Sequence, residues 1–399
     1  MSKTLCVLPW MHLASHPNGG QSLCCRSNHK DAVSWAMQPG STMLQTFDNA
    51  PLTTMANSET FVRVREAMLR GEQPVECEGC WADERAGLQS KRQYENERWA
   101  HIIPELEQTA VLKDPQYRYV ELRLGNICNN ACVTCNSFSS SKWYADEVKI
   151  SKELPWFELR PEQNFKWHDR PEFYTELAAL SEHVEEIYIN GGEPTLIKAH
   201  FKYLEALVES GQSKRVHLVY SLNLMDIPDR LVSLWEHFGR VTVNASIDDY
   251  KERNFYIRWP TEWNDVINSV LKLEETPTVE WHITQTVSIF NIFNLNGLED
   301  WTSEKFQKLT TFNYVLYPEH LGLGAIPDSV RAELLNFYSY GELPSHKLAE
   351  LKAKFEATPF RKELQTRARE FVESLDRARN LNYRNYIPEL ERILNADSN

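Results

Sequence analysis

The stretch Tyr117-Arg-Tyr-Val-Glu-Leu-Arg-Leu-Gly-Asn-Ile-Cys128-Asn-Asn-Ala-Cys132-Val-Thr-Cys135 governs how the rest of the chain is read. Its first eight residues alternate and are rich in β formers, which predicts a strand over Tyr117 to Leu124. Three cysteines follow at spacings of three and two intervening residues. Three thiolates so close together suit one face of an iron–sulfur cubane, which is normally held by four cysteines. No fourth cysteine follows Cys135. A 4Fe–4S cluster held here would keep one iron open to a small molecule, as an open zinc position does in catalytic sites. Spacing alone also allows a zinc site with a distant fourth ligand, or buried structural thiols.

Further along the chain, strand-like segments recur at Glu185 to Ile189, Val216 to Ser221, Arg240 to Ile247, Val279 to Val287 and Phe312 to Leu316. Helical patterns lie between them at Pro171 to His183, His200 to Gly211, Pro228 to His237 and Trp263 to Glu274. Strands alternating with helices imply a parallel sheet. The expected fold class is therefore α/β, a partial (β/α)6 TIM-like barrel, with chemistry at the C-terminal ends of the strands. The second strand ends in Ile189-Asn190-Gly191-Gly192-Glu193-Pro194, where two glycines allow close backbone approach to a ligand.

The cysteine triad after the first strand and the Gly-Gly-Glu-Pro turn after the second together resemble the radical S-adenosylmethionine (SAM) superfamily. The resemblance implies that Cys128, Cys132 and Cys135 bind a catalytic 4Fe–4S cluster whose open iron takes the amino and carboxylate groups of SAM. It implies that Gly191, Gly192, Glu193 and Pro194 hold SAM, with the Gly-Gly-Glu turn at its amino group. One electron would then cleave the sulfonium to methionine and a 5′-deoxyadenosyl radical, which takes hydrogen from a substrate. Asn223, in Tyr220-Ser221-Leu222-Asn223, stands where the family often has a Thr-Asn-Gly-like turn. Ser246-Ile247-Asp248 resembles the Ser-x-Asp that contacts the SAM ribose, and Arg258 in Phe255-Tyr256-Ile257-Arg258 resembles an arginine facing the SAM carboxylate. One departure stands out. The residue before the third cysteine is often aromatic in this superfamily, and here it is Thr134, so adenine stacking must come from elsewhere.

Five further cysteines, Cys6, Cys24, Cys25, Cys77 and Cys80, precede the first strand. Their arrangement, with Gly19 between Cys6 and Cys24 and a terminal Cys77-Glu-Gly-Cys80, resembles the SPASM/twitch module of radical SAM enzymes. Phe61 to Met68 is similar to the helix before that module's CxxC. The resemblance implies one auxiliary 4Fe–4S cluster on Cys6, Cys24, Cys77 and Cys80, with Cys25 as the alternative to Cys24. A structural zinc fits the same spacing. His12 is read as a packed or solvent-facing histidine in preference to a ligand.

The chain has 399 residues, with 43 basic and 56 acidic side chains and a net charge of −13. That balance argues against a protein whose main task is wrapping nucleic acid or lying on an anionic membrane. No apolar run is long enough for a transmembrane helix, and cytoplasmic residence is expected. Three regions are expected: a twitch-like module over 1–105, the partial barrel over 115–325, and a helical region over 326–399. Phe360, Leu364, Phe371 and Leu375 recur at helical spacing there.

Function is expected to be radical SAM catalysis on a peptide or protein side chain, fed by an external one-electron reductant of the flavodoxin or ferredoxin type. The alternatives are a small-molecule or nucleotide substrate, or a non-catalytic iron–sulfur or zinc protein. The segment 136–170, where the family varies most, is expected to carry substrate determinants.

Overall fold

The computed structural model describes residues 3–28, 33–106, 109–308 and 310–396. The chain packs into two compact units. The first comprises residues 1–126, 164–220 and 233–241, and the second residues 127–163, 221–232 and 242–399. Their borders do not follow the three sequence regions, and the pairing of the strands gives the reason.

In the first unit the strands lie in the order β2-β1-β3-β4-β5. These are β1 (His12–Ser15), β2 (Gln21–Ser22), β3 (Tyr119–Arg123), β4 (Glu186–Asn190) and β5 (His217–Leu222), the last continuing past the unit's border. β1 and β2 form an antiparallel hairpin, and β1 then pairs in parallel with β3. The two N-terminal strands are thereby part of the first unit's sheet. The hairpin turn uses Gly19 at φ +77°, where a Cβ would come within 3.0 Å of the Trp167 ring. Register aligns Leu13, Val120, Ile187 and Leu218 in one row across four strands, and each is 0% exposed. Helices Pro171–Leu180 and Lys198–Glu209 bury Phe173, Leu177, Phe201, Leu204 and Leu207. The opposite face of β3 and β4 carries Glu121, Arg123, Tyr188 and Asn190.

Helix Glu59–Leu69 is fastened by Arg65, which is 0% exposed. Its guanidinium donates to the carbonyls of Ala110, Pro9 and Ala56 and to Asn57 Oδ1. A buried cation with that many acceptors holds several loops at once.

In the second unit the order is β6-β7-β8, with β6 (Arg240–Ser246) entering from Thr242, β7 (Val279–Val287) and β8 (Thr310–Tyr314). β7 and β8 are parallel, with Ile283 opposite Thr310 and Val287 opposite Tyr314, and helix Leu295–Phe306 connects them. Alternating burial along β6 and β7 matches the period of two seen in the sequence. Helix Trp263–Glu274 spans the range expected from its pattern and buries Val266, Val270 and Leu273. The C-terminal region forms helices Asp328–Phe337, Ser345–Ala357 and Lys362–Arg379. Leu364, Phe371 and Leu375 are buried on the last of these, whereas Phe360 precedes it.

Neither set of strands closes on itself among the described residues. The strand–helix alternation expected from Tyr117 onward is present from β3 to β8. No helix among the described residues is long and apolar enough to cross a membrane.

Candidate functional site

Within the second unit the cysteine triad lies on a loop held from three sides. The Ala131 and Val133 amides donate to the Trp259 and Ile257 carbonyls, both at 2.8 Å, in a short ladder that carries alternate loop residues. Trp143 Nε1 donates to the Cys132 carbonyl at 2.8 Å. Arg379, from the last helix, donates through Nη2 to the Ala131 carbonyl at 2.7 Å and through Nε to Asp146 at 2.8 Å. Its guanidinium also lies over the rings of Trp143 and Trp259, at 4.7 and 4.9 Å. No sequence motif points to Arg379, because its partners are all more than a hundred residues away.

The thiols are close enough to feel one another's charge. Burial pushes Cys135 upward, and the neighbouring Cys132 and Cys128 add to the shift. Burial likewise raises Cys132, while the Arg258 guanidinium opposes the rise. Burial works against the Arg258 cation, but Cys132 and Asp248 outweigh it and hold the group charged. The Asn130 amide donates to Cys128 Sγ at 3.4 Å, and Asn130 Nδ2 lies 3.9 Å from Cys132 Sγ. Three soft sulfur donors, hydrogen-bonded and beside a fixed cation, fit an anionic iron–sulfur group. Loading such a group would require the raised thiols to lose their protons. Among the described residues, no group of three or more His, Cys, Asp or Glu side chains forms a site for a metal ion.

The residues expected at SAM are arranged as follows. Arg258 Nη1 donates to Asp248 Oδ2 at 2.8 Å, and Thr286 N donates to Asp248 Oδ1 at 2.7 Å. Asp248 is 1% exposed, so both of its oxygens are engaged within the protein. Gln285 Nε2 and Asn291 Nδ2 fix its carbonyl at 2.9 and 2.8 Å. Asn223 Nδ2 donates to Asn129 Oδ1 at 2.6 Å, which ties it to the cysteine loop. Ser246 is half-buried at the end of β6.

In the first unit, the turn after β4 is fixed by sterics. Gly191 and Gly192 have φ of +78° and +53°. A Cβ on Gly191 would stand 2.6 Å from Arg123 Cβ and 2.7 Å from Arg123 Cα, so only glycine lets the turn lie against β3. Glu193 is 1% exposed and accepts from Thr195 N at 3.3 Å and Thr195 Oγ1 at 3.0 Å, capping the Pro194–Leu196 turn.

The N-terminal cysteines also converge. Cys6, Cys24, Cys77 and Cys80 line one small cavity together with Arg26, Lys91 and Arg92. Cys77 immediately precedes helix Glu78–Arg85, which carries Cys80 in its first turn, and Ser27 Oγ donates to the Cys24 carbonyl at 2.7 Å. Burial pushes Cys6 up to about 12 and raises Cys24, Cys77 and Cys80 as well. Four thiols are the donor type that a cluster or a tetrahedral ion takes, although as placed they do not form a metal-ion site, and the three cations would offset thiolate charge. Sequence reading missed these cations, because Arg26, Lys91 and Arg92 form no motif with the cysteines. Cys25 does not line the cavity and lies instead among Glu121, Lys91, Arg123 and Glu95. His12 is 2% exposed and stacks on Tyr119 at 4.2 Å, also outside the cavity. Adjacent cysteines are thus separated by geometry. Any metal taken up at the four cavity cysteines on reconstitution is expected to be lost in Cys24→Ser and kept in Cys25→Ser. Metal analysis of both variants checks this, and equal losses contradict it.

No protein-family model matches the chain, and no curated protein matches it. Solved structures do. Native anSMEcpe with bound AdoMet and Cp18Cys peptide aligns at 16% identity over 55% of this chain and 58% of that one, with a TM-score of 0.36. Hexahistidine-tagged anSMEcpe with bound AdoMet aligns at 18% identity over 55% and 56%, with a TM-score of 0.40. Streptococcus suis SuiB bound to precursor peptide SuiA aligns at 14% identity over 61% and 50%, with a TM-score of 0.34. Both proteins have been solved with S-adenosylmethionine bound. The chain spans between 50% and 58% of the length of these structures. At these TM-scores the likenesses carry no argument, and the site residues stand on this chain's own geometry.

Proposed function

We propose that this chain is a radical SAM enzyme in which Cys128, Cys132 and Cys135 hold the catalytic 4Fe–4S cluster. In this reading Cys6, Cys24, Cys77 and Cys80 hold an auxiliary cluster, and Gly191 to Pro194, Asn223, Ser246, Asp248 and Arg258 serve SAM. One observation carries it: three thiols share one loop that is braced by Arg379 and Trp143, beside the paired Arg258. The chemistry the bound group supplies is one-electron cleavage of SAM to a 5′-deoxyadenosyl radical, which takes a hydrogen atom from the substrate.

The chain's own residues do the positioning. Arg258 offsets thiolate charge, Asp248 fixes the guanidinium, and Asn130 donates to sulfur. A peptide or protein side chain is the substrate class proposed. Its support is the polar face of β3 and β4, where Glu121 Oε2 and Asn190 Oδ1 are buried and make no hydrogen bond. Burial opposes the Glu121 carboxylate, but Arg123, His12 and Lys91 hold it below the usual range. Two such acceptors suit peptide amide donors. The electron would come from an external flavodoxin- or ferredoxin-type donor, and the protein would act in the cytoplasm.

Anaerobically reconstituted protein given SAM and dithionite is expected to form 5′-deoxyadenosine. Cys132→Ala should lower the yield at least ~100-fold, a loss of about 2.7 kcal/mol in transition-state stabilisation. Equal yields from the two proteins would contradict the reading.

A further inference from the structure

A cavity of about 270 Å³ lies within the second unit, with Cys135, Trp143, Trp156, Phe157, His320 and Phe371 in its wall. Much of that wall comes from 136–160, inside the stretch where substrate determinants are expected. The rings face one another edge-on and stacked. His320 lies 5.3 Å from Trp156 at 76° and 5.0 Å from Phe371 at 63°, while Phe157 stacks on Phe371 at 6.2 Å. Aromatic walls of this kind favour a ring as occupant. The volume sits near the lower end for small-molecule pockets, which matches one ring system and not a larger ligand.

The polar groups of the wall narrow the chemistry further. Trp156 Nε1 donates to Glu370 at 2.6 Å, and Trp143 Nε1 to the Cys132 carbonyl at 2.8 Å. Both Glu147 oxygens accept from Ser137, at 2.8 and 2.5 Å. At the rim, Arg367 pairs with Glu363 at 2.7 Å, Arg160 donates to Tyr317 Oη at 3.2 Å, and Arg361 pairs with Glu319. Arg160 and Glu158, which also line the cavity, are in no ion pair among the described residues but carry opposite charges, so the unpaired charge of the rim sums to zero. His320 differs from these groups. It is 8% exposed, and its Nε2 is buried without a hydrogen bond. Burial, reinforced by Arg367, lowers its pKa to about 4, so the imidazole is neutral near pH 7. A buried nitrogen with no partner is costly unless a ligand supplies one.

We infer that this cavity binds one uncharged aromatic ring bearing an O–H or N–H donor, a phenol or an indole, with His320 Nε2 as the acceptor. The ring has two candidate sources: a tyrosine or tryptophan side chain of a peptide substrate, or a free aromatic molecule. The inference rests on the proposed function only in that Cys135, a proposed cluster ligand, forms part of the wall. Ring binding can be read without turnover.

The test titrates the full-length reconstituted protein with p-cresol, indole and toluene by saturation-transfer NMR. Saturable binding of p-cresol or indole, at least ~5-fold tighter than toluene, is expected. His320→Phe should abolish the advantage over toluene. Phe157→Ala, at a half-buried wall position, should weaken every ring at least ~5-fold and guards against a folding defect in the first variant. Acetyl-Gly-Tyr-Gly-amide binding more tightly than p-cresol would identify the peptide source, and weaker binding the free ring. No saturable binding, or binding unchanged by both substitutions, overturns the inference. If 5′-deoxyadenosine never forms but the variants lose ring binding, the ring site stands and the radical reading falls. Turnover without ring binding sinks the ring site alone.

Discussion

Arg379→Ala is expected to destabilise the protein by about 3–5 kcal/mol, the usual cost of breaking a buried ion pair from one side. The Arg379 side chain is 1% exposed and its partner Asp146 8%, so removal leaves a carboxylate buried and unpaired. The same change deletes the donor to the Ala131 carbonyl and two ring contacts that hold the triad loop. Iron bound after reconstitution should fall with stability, because the loop's geometry and the last helix depend on one guanidinium. Arg377→Ala is the control. Arg377 lies on the same helix and pairs with Glu153, but its side chain is 57% exposed, so about 0–1 kcal/mol is expected. Urea unfolding followed by tryptophan fluorescence measures both. Similar losses in the two variants would show that Arg379 does not brace the loop.

Gly191→Ala is expected to abolish 5′-deoxyadenosine formation, with a drop of at least ~100-fold. Two costs combine. A side chain at φ +78° costs roughly 1–2 kcal/mol, and the new Cβ would stand 2.6 Å from Arg123 Cβ and 2.7 Å from Arg123 Cα, which belongs to the backbone of β3 and not to a movable chain end. The turn must therefore shift away from β3, taking Gly192 and Glu193 with it. Gly211→Ala separates the terms, since Gly211 has φ +75° and nothing within 4 Å of its Cβ position. It should lose only the conformational term and keep full activity. Full activity in Gly191→Ala as well would mean that the turn does not position the cofactor.

Much of the βα framework was legible because period and burial coincide there. β7 and helix Trp263–Glu274 occupy the residues their patterns mark out, and β4 and β5 differ by one residue at the ends. The N-terminal pairing was not legible. β1 is four residues long and buried throughout, so it lacks the alternation that marks a strand, and its partner β3 begins more than a hundred residues later. The site divides along the same line. Cysteine spacing singled out the triad, and the resemblance to the twitch module singled out Cys6, Cys24, Cys77 and Cys80, which line one cavity. The Asp248–Arg258 pair was visible as two separate family-like positions, but their grip on each other was not. Arg379, Lys91, Arg92 and His320 escaped sequence reading entirely, since each acts through partners that only folding brings near.

The most direct test is metal analysis of anaerobically purified and reconstituted protein, comparing wild type with the triple variant Cys128→Ala, Cys132→Ala, Cys135→Ala. The account predicts about eight irons per chain in the wild type and about four in the variant, one cluster lost and one retained. Zinc in both proteins, with no iron even after reconstitution, would contradict it.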